Sequence, residues 1–365
     1  MTGDASGLVA HLLALSAHDA SSGHSSASAG AVGWLAARLD ALGASVVRHE
    51  TPTGVVLDGR LGPTDGSSPV LILCHYDTVW PAGTAAARPP RAEGGLVHGP
   101  GVFDMRGGIV SALAALERAA PLERPVQLLL TPDEETGSAG SRELIRRTAG
   151  EAALVLVPEP PLPGGALKTS RKGRATYVVR VAGRAAHAGL EPEAGASAID
   201  ELTDRLPEVR ALARPDRGTT VNVGVIGGGS APNVVADSAW AEIDVRTTSV
   251  AEQDRVETAV SRLRAVRAGT LVRPEAGVAT PPMERTPAIA AAFDRAREIG
   301  ASLGLTLAEG RAGGASDANL VAPLGVPVLD GLGPEGAGAH ALDECVSIDS
   351  LVERTALIAR LVEDW

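Results

Sequence analysis

Three consecutive acidic residues follow an apolar run near the middle of the chain. The segment 128–138 reads LLLTPDEETGS, in which the apolar run stops at Pro132 and gives way to Asp133, Glu134 and Glu135. The pattern predicts a strand that ends in carboxylates, at the edge of an open α/β sheet where ligands bind. Adjacent like charges repel, and burying them is costly unless a cation or hydrogen bonds compensate.

Two further predicted strand ends carry polar side chains. The apolar run at 69–73 leads into His75 and Asp77, which lie two apart on an extended backbone and therefore point to the same side. A histidine ligand usually donates its other ring N–H to a carboxylate or carbonyl, so Asp77 is well placed to orient His75. A strand predicted at 153–157 leads to Glu159, which is expected on the same rim of the sheet.

A glycine-rich loop at 99–108 carries one acid, Asp104, and runs into an apolar helix. Its glycines let the backbone approach closely while the loop presents Asp104. Taken singly, these features have ordinary explanations: a core or surface histidine, a solvated helix start, or a turn. Together they bring imidazole and carboxylate groups to one rim, a combination that suits zinc or another borderline metal.

The elements that would position these groups alternate between strands and helices, which is typical of an α/β fold with a mostly parallel sheet and helices on both faces. From about residue 171 the order changes to that of a small α+β domain inserted into the first, and the chain returns to the larger domain near residue 281. The helices are predicted at 8–16, 29–42, 107–118, 140–148, 196–210, 251–266, 287–303 and 347–361. The strands are predicted at 46–49, 55–61, 69–73, 126–130, 153–157, 175–181, 219–226 and 238–246.

Composition excludes several classes of function. At 365 residues the chain is comfortable for two domains, and its net charge of −11 without a basic block argues against nucleic-acid binding. No run approaches the ~18 apolar residues of a membrane span. The amino-terminal segment has an acid where a secretory signal would be positive, and two cysteines make no disulfide framework, so a cytoplasmic location is expected. His18 and His24 are interpreted as loop residues.

Eight segments, in order along the chain, carry a family resemblance. They are HYDTVWPAGT (75–84), HGPGVFDMRGG (98–108), TPDEETGSAGS (131–141), PEP (158–160), GRAAHAG (183–189), APNVVADSAWAEIDVR (231–246), GGASDA (313–318) and GAGAH (336–340). With them the chain resembles the zinc-dependent M20 family of peptidases and amidohydrolases, and within it the glutamate carboxypeptidase-like (carboxypeptidase G2-like) branch. The resemblance implies a catalytic di-metal domain at 1–171 and 282–365, and an inserted ferredoxin-like dimerisation or lid domain at 172–281.

The resemblance also implies two divalent metal ions, zinc in the first place and cobalt or manganese as alternatives. It implies that His75 binds one ion, that Asp104 bridges both, that Glu135 and Glu159 each hold one, and that His340 completes the set. Two divalent cations bring about +4, against about −4 from three carboxylates and a bridging hydroxide, so the site is nearly neutral only when the metals are bound.

Glu134 is the acid that remains, and the resemblance makes it the general base. It would take the proton of a metal-bridging water as the hydroxide attacks the amide carbonyl, and pass it to the leaving nitrogen. The alternative is that Glu134 is only an acid at the start of a helix. Asp77 would fix the tautomer and ring angle of His75.

The inserted domain would contribute further site residues, and the protein is expected to be a homodimer that binds a small substrate. By resemblance, His187 reaches the partner subunit's active site and stabilises the oxyanion, an interaction worth about 3 kcal/mol. Asn233 and Arg246 match positions that hold the substrate, with Arg246 clasping its α-carboxylate bidentately. A solvated arginine at a strand end is the alternative for Arg246. Gly313 and Gly314 resemble the loop along the substrate backbone.

The resemblance weakens at the residues that select a glutamate side chain. A Glu at position 159 goes with carboxypeptidases and acylamino-acid hydrolases, which favours an amide next to a free α-carboxylate. The lysine of glutamate-selective relatives is replaced by Leu167, and Lys168 is one position away, on the opposite face of a strand. A second basic contact is expected among residues 279–282, where the chain has no arginine. Arg171 or Lys172 could substitute for that contact.

The sequence therefore predicts a di-zinc amidohydrolase that releases a C-terminal glutamate or another amino acid from an N-acyl conjugate or peptide. The alternative within the family is an N-acyl-amino-acid deacylase of the acetylornithine or succinyl-diaminopimelate type. A catalytically inactive binding homologue is a more distant alternative, which the presence of all five ligands and Glu134 disfavours.

Overall fold

The computed structural model of the protein describes residues 2–23 and 26–365, and His24 lies outside the described residues. Within them the helices are, in chain order, α1 (Thr2–Ser16), α2 (Ala29–Ala41), α3 (Thr84–Ala87), α4 (Gly107–Arg118), α5 (Arg142–Gly150), α6 (Ala198–Arg210), α7 (Val250–Ser261), α8 (Pro287–Ser302), α9 (Ala318–Val321) and α10 (Ile348–Asp364). The strands are β1 (Ser45–Thr51), β2 (Gly54–Leu61), β3 (Val70–His75), β4 (Arg91–Glu93), β5 (Leu96–His98), β6 (Val126–Thr131), β7 (Leu154–Val157), β8 (Leu167–Arg171), β9 (Gly173–Ala182), β10 (Thr220–Gly228), β11 (Ser238–Thr247), β12 (Leu271–Thr280), β13 (Glu309–Ala312), β14 (Val328–Asp330), β15 (Gly336–Ala337) and β16 (Cys345–Ser347).

An eight-stranded sheet with the order β1-β2-β6-β3-β7-β14-β8-β13 forms the centre of the larger unit. Its four middle strands run parallel, whereas β2 is antiparallel to β6 and β8 is antiparallel to β14. Every residue of β3, β6 and β7 is buried, as expected for parallel strands that are covered on both faces. The predicted α/β fold with a mostly parallel sheet is confirmed.

The register of this sheet aligns the strand ends that carry polar side chains. His75, the last residue of β3, pairs with Thr131, the last residue of β6. The acidic triplet begins two residues after Thr131, beyond Pro132, and Glu159 comes two residues after the end of β7. The parallel strands therefore deliver these groups to one edge of the sheet.

Helix α4 begins immediately after the loop that carries Asp104, and close packing fixes its first turn. A Cβ atom added to Gly108 would lie 1.8 Å from the carbonyl oxygen of Pro158. Only glycine fits at this position, because the helix start lies directly against the segment that carries Glu159. Further along, α4 buries Ile109, Leu113 and other aliphatic side chains in the same core as the sheet.

A second, small antiparallel sheet has the strand order β15-β16-β5-β4. Strand β16 pairs with β5 through Cys345 opposite His98. This pairing joins the segment that follows His340 to the segment that precedes the Asp104 loop. Cys74 and Cys345 form no disulfide bond.

The chain divides into two compact units. The larger unit comprises the described residues through Ser170, together with Arg285–Ala312 and Ser316–Trp365; the smaller unit comprises Arg171–Glu284 and Gly313–Ala315. The smaller unit has the order β9-α6-β10-β11-α7-β12, and its antiparallel sheet reads β10-β11-β9-β12. Both helices pack into one aliphatic core with this sheet, which is a ferredoxin-like α+β arrangement. Its role as a dimerisation or lid domain stays a prediction, as does the domain assignment.

Among residues 2–23 and 26–365, none of the helices combines the length and the apolar character that crossing a membrane requires.

Candidate metal centre

His75 lies at the end of β3 with 2% of its side chain exposed. Its Nδ1 atom is 3.2 Å from the carbonyl oxygen and 3.4 Å from Oδ1 of Asp77. Its Nε2 atom faces the opposite way, 3.4 Å from Oδ1 of Asp104 and 3.4 Å from Oε1 of Glu159. Asp77 is thus placed to orient the ring, and His75, Asp104 and Glu159 form a first group of potential metal ligands.

A second group of potential ligands consists of Asp104, Glu135 and His340. Nε2 of His340 lies 3.1 Å from Oε1 of Glu135 and 3.5 Å from Oδ2 of Asp104. The two oxygens of Asp104 therefore face different groups, Oδ1 the first and Oδ2 the second. Within each group the ligand atoms lie within 4.8 Å of one another. Asp104 is the residue that the two groups share.

Two buried polar atoms at this site, Nε2 of His75 and Oδ1 of Asp104, make no hydrogen bond to any residue that the structure describes. Buried polar atoms are nearly always paired, so a buried nitrogen and oxygen that converge without a partner call for an additional group. A cation between them would accept electron pairs from both. The donor set of imidazole nitrogen and carboxylate oxygen suits zinc and neighbouring divalent metals, so the residues fit a pair of such ions.

Electrostatics support the same conclusion. Burial raises the pKa of Glu135 to about 7, and the nearby Asp104 carboxylate adds to this effect. Burial, together with the carboxylates of Glu159 and Asp317, raises the pKa of Glu134 well above its usual range. The Asp104 carboxylate raises the pKa of His340 to about 9. Crowded carboxylates that resist ionisation beside imidazoles that retain protons are expected where positive charge is needed.

Glu134 and Glu135 lie in a single helical turn, Glu134–Thr136, which is held from two sides. The backbone N–H groups of Glu134 and Glu135 donate to Oδ1 and Oδ2 of Asp77, each at 3.2 Å. Asp133 accepts hydrogen bonds from the backbone N–H of Gly140 at 2.7 Å and from Ser141. The Asp77 carboxylate therefore touches both His75 and the backbone of the predicted base.

Three buried polar side chains that hold this site together were not apparent from the sequence. Asp317 accepts hydrogen bonds from Ser138 and, at 3.4 Å, from Thr131. Arg106 is 1% exposed and donates to the carbonyl oxygen of His18 at 2.9 Å. The third is Glu344, whose contacts are described below. Asp317 and Arg106 lie inside segments that carry the family resemblance. Their residue types alone do not distinguish a positioning role from an ordinary surface position.

The side chains of Leu167 and Lys168, neighbours on strand β8, lie in different surroundings. Leu167 is fully buried in the aliphatic core. Lys168 is 8% exposed, and its Nζ atom lies 3.8 Å from Oε2 of Glu159. The lysine is thus beside a potential metal ligand.

The smaller unit contains the remaining predicted site residues, His187, Asn233, Arg246, Gly313 and Gly314. The exposed His187 accepts backbone hydrogen bonds at Nδ1 from Gly189 and Leu190, both at 3.1 Å, which leaves Nε2 as the donor of its neutral ring.

Arg246 lies on β11, and its Nε donates to Oδ1 of Asp244 at 2.7 Å. Asn233 and both glycines are exposed, and the carbonyl oxygen of Gly314 accepts a hydrogen bond from Arg171 at 3.3 Å. The roles of these residues in the smaller unit stay predictions.

Known proteins are similar to this chain in sequence. Carboxypeptidase G2 of Pseudomonas sp. (strain RS-16) is 33% identical over 354 residues, which cover 92% of this chain and 84% of that protein. Succinyl-diaminopimelate desuccinylase of Dechloromonas aromatica is 27% identical over 359 residues, covering 92% and 93% of the two chains.

Solved structures extend the similarity in fold. The aminopeptidase PepT of Bacillus cereus superimposes with a TM-score of 0.81 at 23% identity, over 98% of both chains. The YXEP protein of Bacillus subtilis, described as a dinuclear metal binding peptidase from the M20 family, has a TM-score of 0.71 at 15% identity, over 99% of this chain and 98% of its own.

The model of peptidase family M20/M25/M40 matches residues 71–364, which contain every predicted metal ligand. With this match and the similarity to carboxypeptidase G2 over nearly the whole chain, the protein belongs to peptidase family M20/M25/M40 and is a hydrolase.

Proposed function

We propose that the protein is a dinuclear metal-dependent amidohydrolase that cleaves an amide bond next to a free α-carboxylate. The observation that carries this proposal is the pair of ligand groups that share Asp104, with Glu134 adjacent in sequence to the ligand Glu135. The ions are zinc in the first place, because both groups combine imidazole with carboxylate oxygen. Cobalt and manganese accept the same donors.

The bound ions would supply a water of lowered pKa and polarise the substrate carbonyl. Glu134 would accept the proton of that water, which its raised pKa favours, and deliver it to the leaving nitrogen. Asp77 keeps Glu134 in place through the backbone and orients His75 through Nδ1. One buried residue thereby fixes the base through its carboxylate, and a ligand through its carbonyl oxygen and its carboxylate.

The smaller unit would hold the substrate. Arg246 would bind its α-carboxylate, in exchange for part of its present contact with Asp244. Nε2 of His187 would donate to the oxyanion, because Nδ1 is occupied by two backbone N–H groups. We propose that this histidine acts in the site of a second copy, within a homodimer.

The side chain of the released amino acid is a separate question. Carboxypeptidase G2 is the similar protein that supports a glutamate carboxypeptidase. However, the ammonium group of Lys168 lies near Glu159, and Leu167 occupies the core. A glutamate side chain would therefore have to compete with Glu159 for Lys168.

A deacylase is the second candidate, in which the acyl group rather than the amino acid is selected. It is supported by the similarity to succinyl-diaminopimelate desuccinylase over 92% of this chain, and by the partnership of Lys168 with Glu159. Both candidates use the same ligands and the same base, so only turnover separates them.

The test is hydrolysis of a panel by protein loaded separately with zinc, cobalt or manganese. The panel varies the acyl group and the C-terminal residue independently, and Glu134→Gln serves as the blank. Release of glutamate from aroyl-glutamates supports the carboxypeptidase. A preference for acetyl or succinyl groups on ornithine or diaminopimelate supports the deacylase. Absence of turnover in a protein that holds two ions would contradict both.

A further inference from the structure

Glu344 is a buried carboxylate that the chemistry described so far does not use. It lies four residues after His340 and is 2% exposed. Both of its oxygens accept hydrogen bonds from N–H donors of a different segment. Both carboxylate oxygens of Glu344 therefore act as acceptors.

Three of the four donors are backbone groups of the loop that carries Asp104. Oε1 accepts from the N–H of Phe103 at 3.0 Å and from the N–H of Asp104 itself at 3.1 Å. Oε2 accepts from the N–H of Gly101 at 2.8 Å. The fourth donor is the indole N–H of Trp80, at 3.2 Å from Oε2.

The main chain around Glu344 ties the same two segments together. Its carbonyl oxygen accepts from the N–H of Gly99 at 3.3 Å. Its N–H donates to Ala341 at 3.3 Å, and the N–H of Ala341 donates to Gly338 at 2.8 Å, which closes the turn that presents His340. Gly338 has φ of +77°, and a Cβ there would lie 3.0 Å from Glu344, so the turn requires glycine.

We propose that Glu344 is a positioning residue that holds Asp104 between the two ligand groups, which rests on the dinuclear site proposed above. The hydrogen bonds to consecutive N–H groups fix the backbone from which the Asp104 carboxylate projects. Since Oδ1 and Oδ2 of Asp104 face different groups, a small rotation of this backbone would disturb both. Residues that orient metal ligands in this way typically change metal affinity about 10–100-fold when replaced.

The decisive variant is Glu344→Gln, which keeps the shape but directs an NH₂ group at two N–H donors. Glu201→Gln is the matched control, because Glu201 is also fully buried and accepts from the backbone N–H groups of Val266 and Arg267, within the smaller unit. Trp80→Phe removes the one donor that does not belong to the Asp104 loop. Each protein is stripped with a chelator and titrated with Zn²⁺ and with Co²⁺, and its metal-free thermal unfolding is recorded.

We expect the wild-type chain to bind two ions, and Glu344→Gln to bind both with affinity lowered about 10–100-fold. The absorption bands of bound Co²⁺, which report ligand geometry, should change in Glu344→Gln. Glu201→Gln and Trp80→Phe should keep near wild-type affinity and bands, whatever their unfolding temperatures. If Glu344→Gln fails to fold, Glu344→Asp, which keeps the charge but is one methylene too short, should show the same loss.

Several results would overturn the inference. One is that Glu344→Gln binds both ions with wild-type affinity. Another is that Glu201→Gln loses as much metal affinity as Glu344→Gln. A loss confined to one ion would show that Glu344 acts through the His340 turn rather than through Asp104. A wild-type chain that binds neither ion would contradict the proposed function itself, and is distinguishable because it requires no variant.

Discussion

The metal centre and the predicted substrate-binding residues of the smaller unit differ in how the protein holds them. His75 and Glu159 are buried, and each lies at hydrogen-bonding or ion-pair distance from other charged groups. His187 and Asn233 are exposed, and Arg246 retains 30% of its side-chain exposure beside a single carboxylate. A buried polar group must be compensated by the protein or by a ligand, whereas an exposed one is satisfied by water.

This difference has a consequence for function. Geometry alone indicates the use of the buried groups, because unpaired atoms such as Nε2 of His75 need a partner. The exposed groups acquire a use only when a substrate or another subunit arrives. Replacing a residue of the first kind should therefore change the chemistry or the metal content, and replacing one of the second kind should change substrate handling alone.

The largest effect is expected for Glu134→Gln. Loss of a general base lowers the turnover number by about 10²–10⁴-fold, while the ligands stay in place and metal content is kept. The control is Glu143→Gln, the same substitution at an exposed position on α5, which should be neutral. Steady-state kinetics with elemental analysis of both variants tests this. Loss of metal from Glu134→Gln would show that this residue is a ligand and not a base.

His187→Ala is expected to lower turnover by about 10²–10³-fold with metal content unchanged, because one oxyanion donor is lost. Mixing this variant with Glu134→Gln sharpens the comparison. If His187 acts across a homodimer, each mixed dimer contains one intact site, and random exchange should restore about a quarter of the wild-type activity. No recovery after subunit exchange, verified by light scattering with a tagged partner, would place His187 in its own subunit's site or outside catalysis.

Arg246→Lys should mainly raise KM, because an ammonium group replaces a bidentate fork. The loss of a charged hydrogen bond predicts a change on the order of tenfold to a hundredfold in kcat/KM. Arg180→Lys is the matched control, since Arg180 is also an arginine of the same sheet paired with a carboxylate, Glu275. An equal effect in both variants, or a fall in kcat at constant KM, would exclude α-carboxylate binding by Arg246.

The sequence was sufficient to bring three of the candidate metal ligands together, because these three follow apolar strands. The aligned ends of β3, β6 and β7 could be predicted from short buried runs, and parallel pairing then places His75, Glu135 and Glu159 on one edge. His340 lies on a loop, where no periodicity constrains the backbone, and was identified through resemblance. Asp104 stood out as the one acid of its glycine-rich loop, and the resemblance supplied only its bridging role. Glu344 was missed because three of its four donors are backbone N–H groups, which leave no trace in the sequence of the Asp104 loop.

The fold shows the same limit. Long periodic helices such as α4 and α10 were predicted nearly to their ends. The strands β8, β13 and β14 join the large sheet through partners that are distant in sequence, and β4, β5, β15 and β16 form a sheet of two- and three-residue strands. Strands of two or three residues are too short for a period-two pattern to appear, so their pairing alone defines them.

The smallest expected effect is on stability and concerns the buried carboxyl group of Asp317. Burial raises the pKa of Asp317 to about 7, although the hydroxyl of Ser138 opposes the shift. An acid whose folded-state pKa exceeds its unfolded value contributes stability that is lost as the pH rises through the folded pKa. Metal-free wild type should therefore lose unfolding free energy between about pH 4 and about pH 7, relative to Asp317→Asn, which mimics the protonated form. The exposed Asp65, whose pKa is lowered by Ser67, provides a control of opposite sign at lower pH. Asp65→Asn should lose stability relative to wild type as the pH rises to about 4, and the difference should then stay constant from about pH 4 to about pH 7. Urea unfolding from about pH 2 to about pH 7 measures both differences. A gap between wild type and Asp317→Asn that does not change between about pH 4 and about pH 7 would show that Asp317 stays ionised in the folded chain over that range.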